Sequence, residues 1–140
     1  MKVTTKRAWG TRSLEALKGV HPDLRRVFDR VLQEAPFDIR VTEGLRSLER
    51  QKQLVAIGAS RTLNSRHRTG HAVDVVPLVD LDRDGKIETE ELYNWVLMHK
   101  LAPIVKQIAK EERVEIDWGG DWQSFPDGPH WELDRVKYPA

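Results

Sequence analysis

The sequence predicts an α+β domain, a small antiparallel sheet with flanking helices. Two patterns carry this reading. Apolar stripes at helical spacing are interspersed with short stretches of strand-like alternation. The two kinds of element follow one another without the regular strand–helix–strand rhythm of a parallel sheet. The 140 residues correspond to one domain over 1–140, and a chain of that size can bury on the order of two-thirds of its unfolded surface in a core.

The elements follow in order. His21 to Ala35 is the clearest helix: Pro22 suits a first turn, and Leu24, Val27, Phe28, Val31 and Leu32 form one stripe. Pro36 ends it. Phe37-Asp38-Ile39-Arg40-Val41-Thr42 alternates as a half-buried strand. Ser47 can cap a second helix that runs to about Ile57 and closes at Gly58. Residues 59–70, polar and carrying Arg61, Arg66 and Arg68, suggest a loop, and Ala72 to Pro77 a strand. A helix begins at Thr89 or Glu90 with Leu92, Trp95, Val96 and His99 on one stripe. Pro103 either kinks it or opens a separate helix to Glu112. Val114 to Asp117 is a short strand, residues 118–122 and 126–129 are turns, and His130 to Leu133 returns as a strand.

Composition narrows the function classes. The chain is 39% hydrophobic and 32% charged with mean hydropathy −0.56, ordinary for a water-soluble fold. No stretch approaches the ~20 apolar residues of a membrane span, so stable membrane insertion is not expected. Met1 to Trp9 has basic residues but no apolar run behind them, so no signal peptide is expected. With no cysteine, a metal would have to be held by His, Asp, Glu and carbonyls. Residues 1–70 hold 15 Lys/Arg against 7 Asp/Glu, and residues 71–140 hold 8 against 15. This asymmetry reads either as a basic face for a polyanion or as two solvated faces.

One constellation carries catalytic chemistry. In Ser65-Arg66-His67-Arg68-Thr69-Gly70-His71-Ala72-Val73-Asp74 a glycine turn can fold a loop histidine and a strand carboxylate toward one point. Asp127-Gly128-Pro129-His130 sets another carboxylate just before a second histidine. Two imidazoles and a carboxylate make a three-ligand zinc site that leaves a position for water. A further carboxylate is then needed to move the proton from water to the leaving amine, and Asp127 is free for it.

Ser65-x-His67-x-x-Gly70-x-Ala72-x-Asp74 with the later Asp127-x-x-His130 resembles the zinc peptidases that cut peptidoglycan peptides. These are the D-Ala-D-Ala carboxypeptidases and dipeptidases and the L-alanyl-D-glutamate endopeptidases used by phages as endolysins. The resemblance runs from the first helix to His130-Trp131-Glu132. It implies a hedgehog/D-Ala-D-Ala peptidase-like fold, with His67, Asp74 and His130 as ligands of Zn2+ and Asp127 as general base. Thr42-Glu43-Gly44-Leu45-Arg46-Ser47 is similar to the family segment whose arginine steadies the developing oxyanion, which assigns that role to Arg46. The small size, the absence of cysteine and Trp118-Gly119-Gly120-Asp121-Trp122 ahead of the last motif fit the endolysin branch, and Asp rather than Glu at 127 favours the endopeptidase. The implied partner is peptidoglycan, with no nucleic acid, and the implied state a monomer. The implied route is synthesis in the host bacterial cytoplasm and release to the periplasm and cell wall at lysis.

Other candidates have plainer readings. His71 lies one residue off the strand alternation, as a surface group or one behind the site. His21 and His99 read as a helix-start residue and a partly buried helix residue. Trp118, Trp122 and Trp131 are core, cleft walls or substrate contacts; Trp122, with Ser65, is a candidate substrate-binding residue. Ser65 hydrogen-bonds either its own loop or substrate.

A second constellation is the stretch Asp80-Leu81-Asp82-Arg83-Asp84-Gly85-Lys86-Ile87-Glu88-Thr89-Glu90-Glu91, which fits the EF-hand loop. Asp80, Asp82, Asp84, the Lys86 carbonyl, Glu88 and Glu91 would supply oxygens to Ca2+, and Gly85 permits the sharp turn. Ile87 would make a short β contact or pack on the core. The alternative is an acidic solvated turn at a helix start. The loop begins six residues after Asp74, so a bound cation could order the segment that aims that carboxylate.

The reading is therefore a zinc-dependent peptidoglycan peptidase, an L-alanyl-D-glutamate endopeptidase of the phage endolysin type with a calcium-binding loop at 80–91. Its rivals are a D-Ala-D-Ala carboxypeptidase or dipeptidase and a non-enzymatic calcium-binding module on the same fold.

Overall fold

The computed structural model describes residues 7–60 and 65–139. Residues 1–6 of the expected signal-free start, and Arg61 of the expected loop, lie outside the described residues. The helices are α1 (Thr11–Leu17), α2 (Pro22–Glu34), α3 (Leu48–Ala56), α4 (Thr89–Leu92) and α5 (Trp95–Glu111). The strands are β1 (Asp38–Glu43), β2 (Ala72–Leu78), β3 (Ile116–Trp118) and β4 (His130–Leu133). They form one antiparallel sheet in the order β1-β2-β4-β3, so the expected α+β class and antiparallel sheet hold.

Strand alternation divides the residues of this sheet between two environments. Val73 and Val75 of β2, and Trp131 and Leu133 of β4, join the core with Ile39 and Val41 of β1. The intervening Asp74 and His130 belong to the polar side of the sheet, where the cleft lies. The core is completed by α2, which buries all five residues of its predicted stripe, and by α5, against which it packs. Each fully buried aliphatic or aromatic side chain contributes about 1.5–3 kcal/mol. Trp118 and Trp131 stack with centroids 5.6 Å apart and belong to the core rather than to the cleft.

Helix starts follow local chemistry. His21 accepts the Asp23 N–H through Nδ1 and Pro22 opens α2, while Ser47 Oγ accepts from Arg50 N at α3.

Several expectations need correction. The segment from Thr89 is not one helix: Asn94 accepts the Leu97 N–H and caps a new one, which resets the phase. The buried stripe of α5 is therefore Leu97, Met98, Leu101, Ala102, Val105, Ile108 and Ala109. Trp95, Val96 and His99 are exposed instead. Pro103 neither ends nor divides α5; it lies on the solvent side, where the carbonyl it leaves without an N–H can meet water. The third strand begins at Ile116, two residues later than expected, because Arg113 at φ 60° and the N–H of Val114 on Ala109 O close α5 first. The 66–69 segment of the expected loop is a 3-10 turn, Arg66–Thr69. Ile87 is 40% exposed and is not one of the core residues. Helix α1 lies outside every sequence expectation.

Candidate active site

The 3-10 turn Arg66–Thr69 and the sheet together build the site. Ser65 Oγ accepts from the His67 N–H and caps the turn; this is the loop-bonding alternative for Ser65, which also lines the cleft. Gly70 closes the turn at φ 76°, where a Cβ would meet the Gly19 carbonyl at 2.2 Å, so the position requires glycine. The chain then enters β2, and the antiparallel register sets Asp74 opposite His130 of β4. Strand pairing thus brings together residues that are 56 positions apart in the chain.

His67 Nε2 lies 3.1 Å and His130 Nδ1 lies 3.4 Å from Asp74 Oδ1. The tautomers follow from the partners on the far side of each ring. His67 Nδ1 is 2.9 Å from the Gly44 carbonyl, which only accepts, so Nδ1 carries the proton. His130 Nε2 is 2.9 Å from Glu132 Oε1 and likewise donates. His67 Nε2 and His130 Nδ1 therefore converge on one carboxylate oxygen, an arrangement that calls for a cation there, a proton in the metal-free protein or a metal ion in its place. His67, Asp74 and His130 form a group whose ligand atoms lie within 4.8 Å of one another, able to hold a metal ion.

The electrostatics agree. Burial disfavours the charged form of Asp74, yet hydrogen bonds to His130 and His67 hold its pKa well below the usual carboxylate range. Burial also opposes the His130 cation, but hydrogen bonds with Asp74 and Glu132 lift its pKa to about 9. Asp127 stands beside this cluster, its N–H bonded to the Gly119 carbonyl and its own carbonyl accepting the His130 N–H. Its carboxyl pKa is raised by burial and then by the nearby charge of Asp74.

Arg46, 8% exposed, reaches toward the cluster from the loop after β1. Glu43 accepts both its Nε–H and an Nη2–H at 2.6 Å, Gln51 accepts from Nη1 at 2.7 Å, and Nη2 is 4.0 Å from Asp74 Oδ2. Arg46, His67, Asp74, Trp122, Asp127 and His130 all line one cleft of about 650 Å³. Trp122 packs its ring 5.0 Å from that of His130. A larger groove of about 820 Å³ along α2 contains none of these residues. His71 turns away to Thr69 and His21, His21 caps α2, and His99 meets Trp118 edge-on; none joins the cluster.

Sequence reasoning missed Glu132 as a partner of His130. Its signal is plain in retrospect: a His-x-Glu pair on one strand sends both side chains to the same side.

The acidic loop lies beyond the end of β2. Gly85, at φ 85°, donates to Asp80 Oδ2, and Lys86 N donates to Asp84 Oδ1. Glu91 reaches back to the N–H groups of Leu81 and Glu88. Asp80, Asp82 and Glu91 form one group with metal-ligand spacing, and Asp82, Asp84 and Glu88 another. Glu88, hydrogen-bonded to Glu91 and Asp84, has a pKa raised to about 8.

An antiparallel α+β domain with this cluster and cleft defines a peptidase of the type that cuts peptidoglycan. The family described as phage L-alanyl-D-glutamate peptidase matches residues 6–138, and the chain belongs to that family. The L-alanyl-D-glutamate peptidase of Escherichia phage T5 is 30% identical over 133 residues, covering 93% of this chain and 91% of the relative. The peptidoglycan L-alanyl-D-glutamate endopeptidase CwlK of Bacillus subtilis is 30% identical over 127 residues, covering 81% of this chain and 73% of its own. The crystal structure of the Serratia marcescens L-Ala D-Glu endopeptidase ChiX superposes with a TM-score of 0.79 at 41% identity, covering 93% of this chain and 92% of that one. Among the described residues no helix is long and apolar enough to cross a membrane.

Proposed function

We propose that the protein is a zinc-dependent endopeptidase that hydrolyses the L-Ala–D-Glu bond of peptidoglycan stem peptides, acting as a phage endolysin. The observation that carries the metal assignment is the convergence of His67 Nε2 and His130 Nδ1 on Asp74, with the far nitrogen of each ring tied to the Gly44 carbonyl or to Glu132. Three ligands of this kind fit zinc with one position left for water or substrate. Bound there, zinc supplies Lewis acidity at the scissile carbonyl and makes water acidic enough to attack near neutral pH.

The chain's own residues do the rest. Asp127, kept basic by burial and by Asp74, takes a proton from the attacking water. It returns that proton to the D-Glu nitrogen as the C–N bond breaks, so the products are an L-Ala carboxylate and a free amine. Arg46 donates to the carbonyl oxygen as negative charge develops. Its clamp on Glu43 and Gln51 fixes its direction in advance, which is what oxyanion stabilisation requires. Ser65 and Trp122 line the cleft and would contact the peptide.

The loop at 80–91 binds calcium in this reading. Asp80 Oδ1 supports it: the atom is buried with no hydrogen-bond partner, in a ring of carboxylates that a divalent cation would neutralise. Asp80, Asp82, Asp84, the Lys86 carbonyl, Glu88 and Glu91 would hold the ion. The loop lies between β2, which carries Asp74, and α4, which packs on β2.

Asp127→Ala tests the reading against a non-enzymatic module. The proposal predicts a turnover loss of roughly 10²–10⁴-fold with zinc content unchanged. A variant that cleaves like the wild type would overturn the role of Asp127.

A further inference from the structure

We infer that Glu132 is a positioning residue for His130: its carboxylate fixes which nitrogen of the ring faces the metal site. The inference rests on the zinc reading of the site. A histidine on a strand can turn its ring over, exchanging Nδ1 and Nε2 character between the cleft and the interior. In this chain one orientation is selected. His130 Nε2 donates to Glu132 Oε1 at 2.9 Å, so Nδ1 is the nitrogen turned to the site, 3.4 Å from Asp74 Oδ1.

Glu132 is built for the task. It is 4% exposed, two residues along β4 from His130 and on the same side of the strand. Its neighbours in register are Ala72 of β2, too small to compete for the carboxylate, and Asp117 of β3. Its other oxygen, Oε2, accepts from Arg135 Nε at 3.1 Å, and Arg66 Nε is 3.9 Å from the same atom. Arg135 thus occupies Oε2 and leaves Oε1 to His130. A carboxylate hydrogen-bonded to the far side of a ligating imidazole orients the ring and makes it a better donor, and its loss typically costs 10–100-fold in metal affinity.

Zinc dissociation constants by chelator competition would test this, with Glu132→Ala, Glu132→Gln and His130→Ala beside the wild type. Nitrogen-detected NMR of the His130 ring reports the tautomer. We expect Glu132→Ala to bind zinc 10–100-fold more weakly. Glu132→Gln keeps the volume and an acceptor oxygen, so it should fold normally and lose less affinity. In the zinc-loaded protein the wild-type ring should show a protonated Nε2 and an unprotonated Nδ1, and Glu132→Ala a mixture of tautomers. If His130→Ala weakens zinc binding while both folded Glu132 variants bind as the wild type does, the positioning role is wrong and the metal site stands. If His130→Ala binds zinc as tightly as the wild type, the metal reading fails and the inference fails with it.

Discussion

Asp74 and His130 face one another in register across β2 and β4, with His130 Nδ1 3.4 Å from Asp74 Oδ1. The site is thus a property of strand pairing rather than of any single loop. Whatever holds β2 against β4 also sets the distance between two of the three candidate ligands.

The first consequence concerns pH. The His130 pKa is raised in the folded protein from 6.5 to about 9. A group raised on folding stabilises the fold fully below its unfolded value, and that contribution is lost as pH rises through the folded one. The metal-free protein should therefore lose thermal stability between pH 6.5 and about 9. Zinc takes the place of the proton, so the zinc-loaded protein should not show this fall. Melting curves of both forms across that window check it, and parallel pH profiles would contradict it.

Gly44 provides a second prediction, remote from the ligand atoms. Its carbonyl holds His67 Nδ1, and a Cβ there would lie 2.0 Å from the Ala16 backbone oxygen. Gly44→Ala must displace α1 or that carbonyl, at about 1–3 kcal/mol for the overpacking. Zinc affinity should fall along with the melting temperature. A variant that melts lower yet binds zinc normally would show that the carbonyl does not hold the ring.

Arg46 is expected to act on the transition state more than on binding. Replacing it with Ala should lower kcat roughly 10²–10³-fold with a small change in KM. Steady-state kinetics on a muropeptide separate the two. A pure KM effect would assign Arg46 to substrate binding instead.

The acidic loop makes a fourth prediction. Calcium should raise the melting temperature of the wild type, since a ligand bound only by the native state stabilises it. Asp80→Ala with Asp82→Ala should abolish that rise and lower the peptidase rate measured in saturating calcium. A double variant unchanged in both melting temperature and rate would remove the loop from the account.

The sequence made different parts of this molecule legible for different reasons. The α2 stripe was readable because its periodicity is strong, and the strands carrying Asp74 and His130 because they are short, largely buried runs bounded by turn residues. Helix α1 was not: it is seven residues long, and its N-cap Gly10 makes no side-chain bond. The break before α5 was hidden because Asn94 acts through a side-chain cap while the apolar residues on either side look continuous. The residue types of the candidate site were visible, but the His67–Asp74 spacing is local, whereas His130 reaches them only through the β2–β4 register. The clamp of Glu43 and Gln51 on Arg46 is close in sequence, but it forms only because the turn between β1 and α3 brings both side chains to the guanidinium, which no periodicity signals.

Metal-dependent cleavage of one particular bond is what sets this site apart from a binding module or a carboxypeptidase. Its most direct test is digestion of purified peptidoglycan by the protein after chelation, with and without zinc restored, followed by mass spectrometry of the new termini. Cleavage is expected only with zinc, leaving L-Ala on the sugar and a free amino-terminal D-Glu on the released peptide. Release of D-Ala alone, or equal cleavage without metal, would contradict it.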